Sequence, residues 1–434
     1  MVASDSAYMC KDGSSCGLTG AAAFFAGIPG TAIVLNSSLW CYFSARGYVE
    51  KQCPSAGMRF FCSQRSKEAA PHGMEEYLLH ILLSIKEASC PSVVLLANSC
   101  TDSTGSDNLL DIAKRAKMNC PVVCLDSRAL AGGFWAGHQA ASQAYFQMLF
   151  LQPRSRVRSK TVNLLGCSAG YYNSVHDLQE LRRMLKLAGY EVLACPGAGS
   201  TIQEISAMTQ AQLNVVIHDE LGRDLARGLE EQYDMPYVSL CPPYGLQGSL
   251  SWVKAIDDYL PGEGSGLKVL QHEANALERE LNEISKEQQK SWGEIQFDNI
   301  FIAAPSSVAV SISQAVRSEW VNTQKITMAL HNGVPFDSSY SAYMGTVLDA
   351  YKDGQQIEQH LAGLAGGLLL ASSREKAIVH QKAVENVAYQ GISLPVYDEI
   401  PASWPLMGLK GNRHMVEKLW SQYIQGQKHL NIGR

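Results

Sequence analysis

The sequence has no uninterrupted apolar run of the roughly 20 residues that span a bilayer. Its most apolar stretch, from Gly17 to Phe43, is broken by Gly20, Gly27, Pro29, Gly30 and Asn36. There is no basic excess: 36 Lys and Arg stand against 41 Asp and Glu, a net charge of −5. Nucleic acid and an anionic membrane surface are therefore not expected as partners. Asp5, Lys11 and Asp12 give no basic segment ahead of an apolar one, as a secretion signal needs, so a soluble, cytoplasmic protein is expected. No Gly-x-x-x-x-Gly-Lys-Ser/Thr phosphate loop is present, so if ATP drives the chemistry another protein binds it. No Gly-x-Ser-x-Gly elbow marks a serine hydrolase. No cysteine follows Cys241.

What is present is an ordered chain. With 434 residues, 46% hydrophobic and 18% charged, it can bury several cores, and its length suggests about three domains. Short, branched apolar runs recur at Thr31–Leu35, Val93–Ala97, Val122–Leu125, Val162–Leu165, Val192–Ala194, Asn214–Ile217 and Tyr237–Leu240. They continue at Ile300–Ala303, Ile326–Leu330 and Leu368–Ala371. Runs of this kind suit parallel strands buried on both faces. Amphipathic patterns lie between them, including Met74–Glu87, Leu109–Met118, Val175–Ala188, Thr201–Gln212 and Leu221–Tyr233. The alternation predicts parallel sheets flanked by helices, an α/β fold. Breaks at Gln152–Lys160 and Leu260–Gly266 divide the chain into expected domains 1–155, 156–262 and 263–434. The last opens with a charged helix, Leu267–Trp292. Leu270, Ala274, Leu277, Leu281 and Ile284 form its narrow apolar seam.

The 12 cysteines are too sparse for a secreted disulfide framework. In a cytosolic chain they point to metal, cluster or redox work, although most read individually as small buried apolar residues. Ligands of open α/β sheets bind outside the carboxyl ends of strands. Cys41 follows the strand at 31–35 and Cys100 the strand at 93–97, which places both on one edge. Cys16 closes a Gly/Ser-rich segment before an apolar, helix-like run. Three thiolates from separated loops suit an iron–sulfur cluster. Cys90, Cys120 and Cys124 read as structural.

A second set ends four later strands: Cys167, Cys195, His218 and Cys241. Together they would suit zinc, iron or an iron–sulfur cofactor. Alternatively the cysteines pack and His218 caps or hydrogen-bonds. Gly197–Thr201 reads as a tight turn with a capping box between Thr201 and Glu204, or as an anion site. His72, His80 and His138 stand alone and read as surface or hydrogen-bonded histidines. Tyr171 and Tyr172 read as core, or as the lining of a pocket.

Several segments in order resemble the nitrogenase component 1 family, which includes nitrogenase molybdenum–iron protein subunits, their assembly scaffolds and dark-operative protochlorophyllide reductase. The likeness begins at Cys16-Gly-Leu-Thr-Gly-Ala and Leu39-Trp40-Cys41. It continues at Asn98-Ser99-Cys100 with Gly105-Ser106-Asp107, where Ser106 and Asn108 depart from the family's Gly-Asp-Asp turn. Gly132–His138, Val162–Gly166, Ala211–Val216 and Leu229–Tyr237 follow. Pro405-Leu406-Met407-Gly408-Leu409-Lys410-Gly411 is similar to a Pro-x-x-Gly-Tyr-x-Gly pattern.

This resemblance implies three Rossmann-like α/β domains and an oxygen-sensitive oxidoreductase. It implies electrons delivered singly by a separate ATP-hydrolysing iron protein, through an iron–sulfur cluster near a subunit interface. Cys16, Cys41 and Cys100 match the family's cluster ligands. A 4Fe–4S cluster would need a fourth ligand, from a partner chain, Asp12 or Cys10. A larger shared cluster would take three cysteines from each of two chains. The expected partner is a homologous subunit or a second copy, in a dimer or heterotetramer. His218 falls where the catalytic nitrogenase subunit has its cofactor cysteine, and Met407 where it has its cofactor histidine. The usual molybdenum cofactor is therefore not expected, while a second metal cofactor at the Cys167, Cys195, His218 and Cys241 set stays open. A scaffold for assembling a metal–sulfur cofactor is the alternative function. The substrate is left open, since dinitrogen, a tetrapyrrole or a thioether would all suit the architecture.

Overall fold

The computed structural model describes residues 16–63, 74–99, 108–126, 130, 132–149, 151–154, 156–260, 265–332, 345–399 and 403–431. Three parallel sheets follow one another along the chain. Strands β1 (Thr31–Asn36), β2 (Phe60–Cys62), β3 (Val93–Asn98) and β4 (Val122–Leu125) form the first, in the order β2-β1-β3-β4. All its pairings are parallel. The central strands β1 and β3 are apolar except at Thr31 and the closing asparagines, and buried at every residue. That is what coverage on both faces requires.

Helices α1 (Gly17–Ala26), α2 (Leu39–Gln52), α3 (Met74–Ala88), α4 (Leu109–Ala116) and α5 (Gly133–Met148) flank this sheet. All ten residues of α1 are buried. A helix without a polar face is a core element. Glycines let α1 and α5 approach closely. A methyl group on Gly20 would lie 1.9 Å from the Phe134 carbonyl oxygen, and one on Gly137 would lie 1.9 Å from that of Gly17.

The second sheet contains β5 (Thr161–Leu165), β6 (Glu191–Ala194), β7 (Leu213–Val216) and β8 (Tyr237–Ser239), ordered β6-β5-β7-β8. Its helices are α6 (Ser174–Leu187), α7 (Ile202–Ser206), α8 (Asp219–Tyr233) and α9 (Gly245–Tyr259). The expected helix over Thr201–Gln212 is shorter: α7 ends at Ser206 and a 3-10 turn takes over at Met208–Gln210. Its capping box forms as read, with the Glu204 N–H donating to Thr201 Oγ1 at 3.3 Å and the Thr201 N–H to Glu204 Oε2 at 2.8 Å.

The long helix α10 (Ser265–Trp292) leads into β9 (Gln296–Ala304), α11 (Ser306–Ala315), β10 (Asn322–Leu330), β11 (Thr346–Asp349) and α12 (Gly354–Ala362). Then come β12 (Leu368–Ala371), α13 (Ser373–Gln381), β13 (Ala388–Gly391) and α14 (Gly408–Asn431). The sheet order is β11-β10-β9-β12-β13. The seam of α10 is buried at Leu270, Ala274 and Leu281, and the helix leans on α6, α9 and α14. Arg183 of α6 forks between Glu180 and Glu273 of α10, with all four contacts at 2.7–2.9 Å. Among the described residues no helix is long and apolar enough to cross a membrane.

In each sheet the first strand has neighbours that leave it in opposite directions. The strand ends flanking that reversal form a crevice, which is where α/β sheets bind ligands. The three crevices lie between β1 and β3, between β5 and β7, and between β9 and β12.

Candidate functional site

The first crevice carries the cysteines. Asn36, ending β1, donates through Nδ2 to Asn98 Oδ1 at 2.6 Å, so the two strand ends are tied by buried side chains. The Ser99 N–H donates to the Asn36 carbonyl at 3.1 Å, which fixes the chain just before Cys100. Cys100 itself lies outside the described residues, as do Cys10, Asp12 and the Gly105–Asp107 turn. Cys41 is in the first turn of α2, where its N–H donates to the Ser38 hydroxyl at 3.4 Å. Cys16 is the N-cap of α1, and its side chain makes no capping bond. Among the described residues its sulfur contacts the Thr19 hydroxyl, at 3.4 Å. Both cysteines are half-buried, and neither forms a disulfide. Helix N-termini favour negative charge, so two soft sulfur donors at two such ends fit an iron–sulfur group. Cys62, which sequence reasoning passed over, ends β2 on the same edge. Its thiol donates to the Ser37 carbonyl at 3.6 Å. Beside Cys41 the surface is apolar: Leu39 is 44% exposed, Trp40 80% and Phe43 60%.

The second set does not converge. Cys195, Cys167, His218 and Cys241 follow β6, β5, β7 and β8, in that spatial order. Adjacent strands are about 4.8 Å apart, so four strand ends span about 14 Å. A metal reaches sulfur at about 2.3 Å. Cys167 and Cys195 are buried, and the neighbouring Cys195 together with burial holds the Cys167 thiol well above its ordinary range. Cys241 is half-buried at the far strand. Among the described residues no three metal-capable side chains come together.

His218 belongs to a different group. It opens α8 at the second crevice, where its ring stacks on Tyr171 with centroids 4.6 Å apart. Its Nδ1 lies 3.4 Å from the Ser307 hydroxyl of α11. Burial pushes the ring's pKa down to about 3, so it is neutral. Glu220, two residues on, accepts through Oε1 from the Tyr171 hydroxyl at 3.0 Å and from Ser307 at 2.9 Å. Its Oε2 has no partner. Burial lifts this carboxyl to about 7, against the lowering effect of its hydrogen bonds. Trp135 of α5 donates to the Tyr171 hydroxyl at 3.0 Å. Three regions of the chain therefore meet at one carboxyl that holds a proton near neutrality.

The junction continues past Trp135, whose ring lies 6.1 Å from that of His331. His331 follows β10, with Nε2 3.2 Å from Glu375 Oε1 and Nδ1 3.3 Å from the Ser393 hydroxyl. Burial alone would raise the Glu375 carboxyl, but His331, Arg374 and Ser372 hold it at about 2. His138 corrects the sequence reading of a surface or hydrogen-bonded histidine. It is buried, both ring nitrogens lack partners, and Phe24 and Phe134 pack against it. Burial, with His218 nearby, pushes its pKa down to about 3. Met407 is buried in the chain before α14, and the Leu406 and Met407 N–H groups donate to the enclosed Asp177 carboxylate. Glu220, Ser307, His331 and Glu375 carried no sequence signal of their own. Each follows a strand within a few residues, the one cue that could have found them.

Three parallel sheets flanked by helices, with cysteines beside the first crevice and buried acid–imidazole contacts beside the others, define an α/β protein. The chain belongs to the nitrogenase component 1 type oxidoreductase family, whose sequence model matches residues 16–423. A light-independent protochlorophyllide reductase subunit from Chloroflexus aggregans is 30% identical over 189 residues, 43% of this chain and 34% of that protein. The corresponding Crocosphaera subtropica protein is 24% identical over 207 residues, 45% of this chain and 40% of that one. The matched chain thus spans well under half the length of these curated relatives. The fold agrees with the solved structure of nitrogenase Cp1 at pH 6.5, with a TM-score of 0.75 at 14% identity over 96% of this chain and 93% of that one. The pH 5 structure gives 0.71 at 16% identity, over 95% and 89%.

Proposed function

We propose that the chain is a subunit of the substrate-reducing component of a nitrogenase-like, ATP-dependent reductase, working in the cytoplasm. In this reading it pairs with a homologous subunit or a second copy of itself and receives electrons from a separate ATP-hydrolysing iron protein. Cys16, Cys41 and Cys100 would hold an iron–sulfur group, either 4Fe–4S with a fourth ligand from elsewhere or a larger cluster shared with the partner. When bound, that group supplies one-electron transfer.

The observation that carries this reading is the coincidence at one edge of two half-buried cysteines outside any disulfide and an exposed apolar face. Trp40 and Phe43 are large aromatic side chains of the kind that anchor protein interfaces. A partner covering them would also exclude water from Cys41. At the junction, Tyr171 and Ser307 orient the Glu220 carboxyl and leave Oε2 to hold or release a proton. His218, neutral and stacked on Tyr171, closes that side. The four-residue set ending β5 to β8 offers no ligand group for a second metal.

The test is ATP-driven reduction. Anaerobic protein is mixed with its iron protein, dithionite and MgATP, and the cluster's EPR signal is followed. Reduction that requires both the iron protein and ATP is expected. A cluster that stays unreduced but passes intact to an apo-acceptor would replace this reading with the scaffold function.

A further inference from the structure

We propose that the seam between the first and second sheets is a binding site for a small organic anion, with a doubly charged head on a short apolar body. The seam holds a cavity of about 630 Å³. One wall is the turn from α1 into β1 and the segment after α2. The other is α6 with the loops that follow β5 and β6. It shares no lining residue with the Glu220 junction or with the Cys16 and Cys41 edge.

Two arginines, Arg59 and Arg182, line this cavity. Arg59 is half-buried and donates to the backbone carbonyls of Ile28 at 2.8 Å and Ala26 at 2.6 Å. These carbonyls satisfy its geometry but not its charge, and burial pushes its pKa down. Arg182 makes one long bond, to the Val192 carbonyl at 3.4 Å. The ion pairs among the described residues include neither arginine. The one carboxylate lining the cavity is Glu204, and its Oε2 is committed to the Thr201 N–H and hydroxyl. A desolvated cation without a partner is costly, and a guanidinium binds carboxylate or phosphate oxygens through paired donors.

The rest of the lining supplies the apolar body's environment. Ala26, Pro29, Val175 and Leu178 line the cavity, and Val175 is 46% exposed at its rim. The back of the seam is already formed. The Gly199 N–H donates to the Gly27 carbonyl at 2.6 Å, and a methyl group on Gly27 would lie 1.8 Å from the Gly197 oxygen. A site held open by backbone contacts loses little in ordering when a ligand enters.

The test uses the anaerobically purified full-length chain and n-hexyl phosphate, followed by calorimetry and thermal shift. Inorganic phosphate and n-hexyltrimethylammonium serve as controls. Hexyl phosphate should bind and raise the melting temperature. Inorganic phosphate should bind at least tenfold more weakly, and the ammonium not at all. Arg182→Gln and Val175→Asp should each weaken hexyl phosphate at least tenfold. Val175 is on the rim, so Val175→Asp keeps its fold whatever Arg182 contributes to stability. No binding by wild type, unchanged binding in both variants, or equal binding of the ammonium would each overturn the proposal. Inorganic phosphate binding as tightly as hexyl phosphate would also overturn it, by removing the apolar body.

Discussion

Glu220 and His218 are two residues apart, yet only His218 stood out in the sequence. A histidine after a strand suggests a ligand by itself. A glutamate in the first turn of a helix suggests only a favourable dipole contact. What makes Glu220 unusual is supplied from far along the chain, by Tyr171 and Ser307, and no local pattern records that. Its carboxyl titrates near 7 in the folded chain against an ordinary 4.5. Between these values the native state holds a proton that the unfolded chain has lost. The group's contribution is therefore full below about pH 4.5 and is lost as pH rises through about 7. Glu220→Gln should shrink the loss of stability between about pH 5 and pH 8 in urea titrations. An unchanged loss would contradict the assignment. Asp177 has the same sign, raised to about 7 by burial, so the comparison is made as a difference from wild type. Asp177→Ala should cost about 2–3 kcal/mol of unfolding free energy, because the Leu406 and Met407 N–H groups would be left buried and unpaired. A value within about 0.5 kcal/mol of wild type, the range of an ordinary surface change, would mean the segment relaxes.

At the level of elements, the ten apolar strand runs were legible from short, branched apolar sequence, which is unbroken in the buried central strands and still present in the edge strands β4, β6 and β8. The three strands without such a reading lie at sheet edges. These are β2, β11 and β13, and Ala-Tyr-Gln-Gly in β13 has no apolar run to read. The rule placing Cys167, Cys195, His218 and Cys241 at strand ends was sound, but it contains no lateral distance. The interval between strands separates the four. The packing of α1 on α5 depends on positions where no side chain fits. Gly20→Ala should destabilise the chain by about 1–3 kcal/mol, the usual cost of overpacking, as read by urea unfolding. The first turns of α2 make the opposite case, with the large side chains of Leu39, Trp40 and Phe43 exposed. Trp40→Asp should weaken association with the partner subunit at least tenfold, about 1.4 kcal/mol, while leaving the isolated chain's melting temperature unchanged. Sedimentation of the assembled protein reads the first effect. Unchanged association would place the interface elsewhere.

Across the whole molecule, the α/β class followed from alternation alone, while the joining of the three sheets did not. The long helix α10 read as a helix leaning on a domain surface, and it packs on α6, α9 and α14 and is clamped by Arg183. Its seam gave the buried face but not the partner. The junction around Glu220 likewise exists only once Trp135, Tyr171 and Ser307 are brought together from separate sheets. Membership of the nitrogenase component 1 type family accounts for this plan and implies a metal–sulfur group. The ligands proposed for it are Cys16, Cys41 and Cys100. The most direct measurement is iron and acid-labile sulfide per chain in oxygen-free protein, with EPR before and after dithionite. Wild type is compared with the triple change Cys16→Ala, Cys41→Ala, Cys100→Ala. The account predicts iron and a reducible signal in wild type and neither in the triple variant. Iron retained by the triple variant would contradict it, as would iron absent from wild type even after cluster reconstitution with the partner chain.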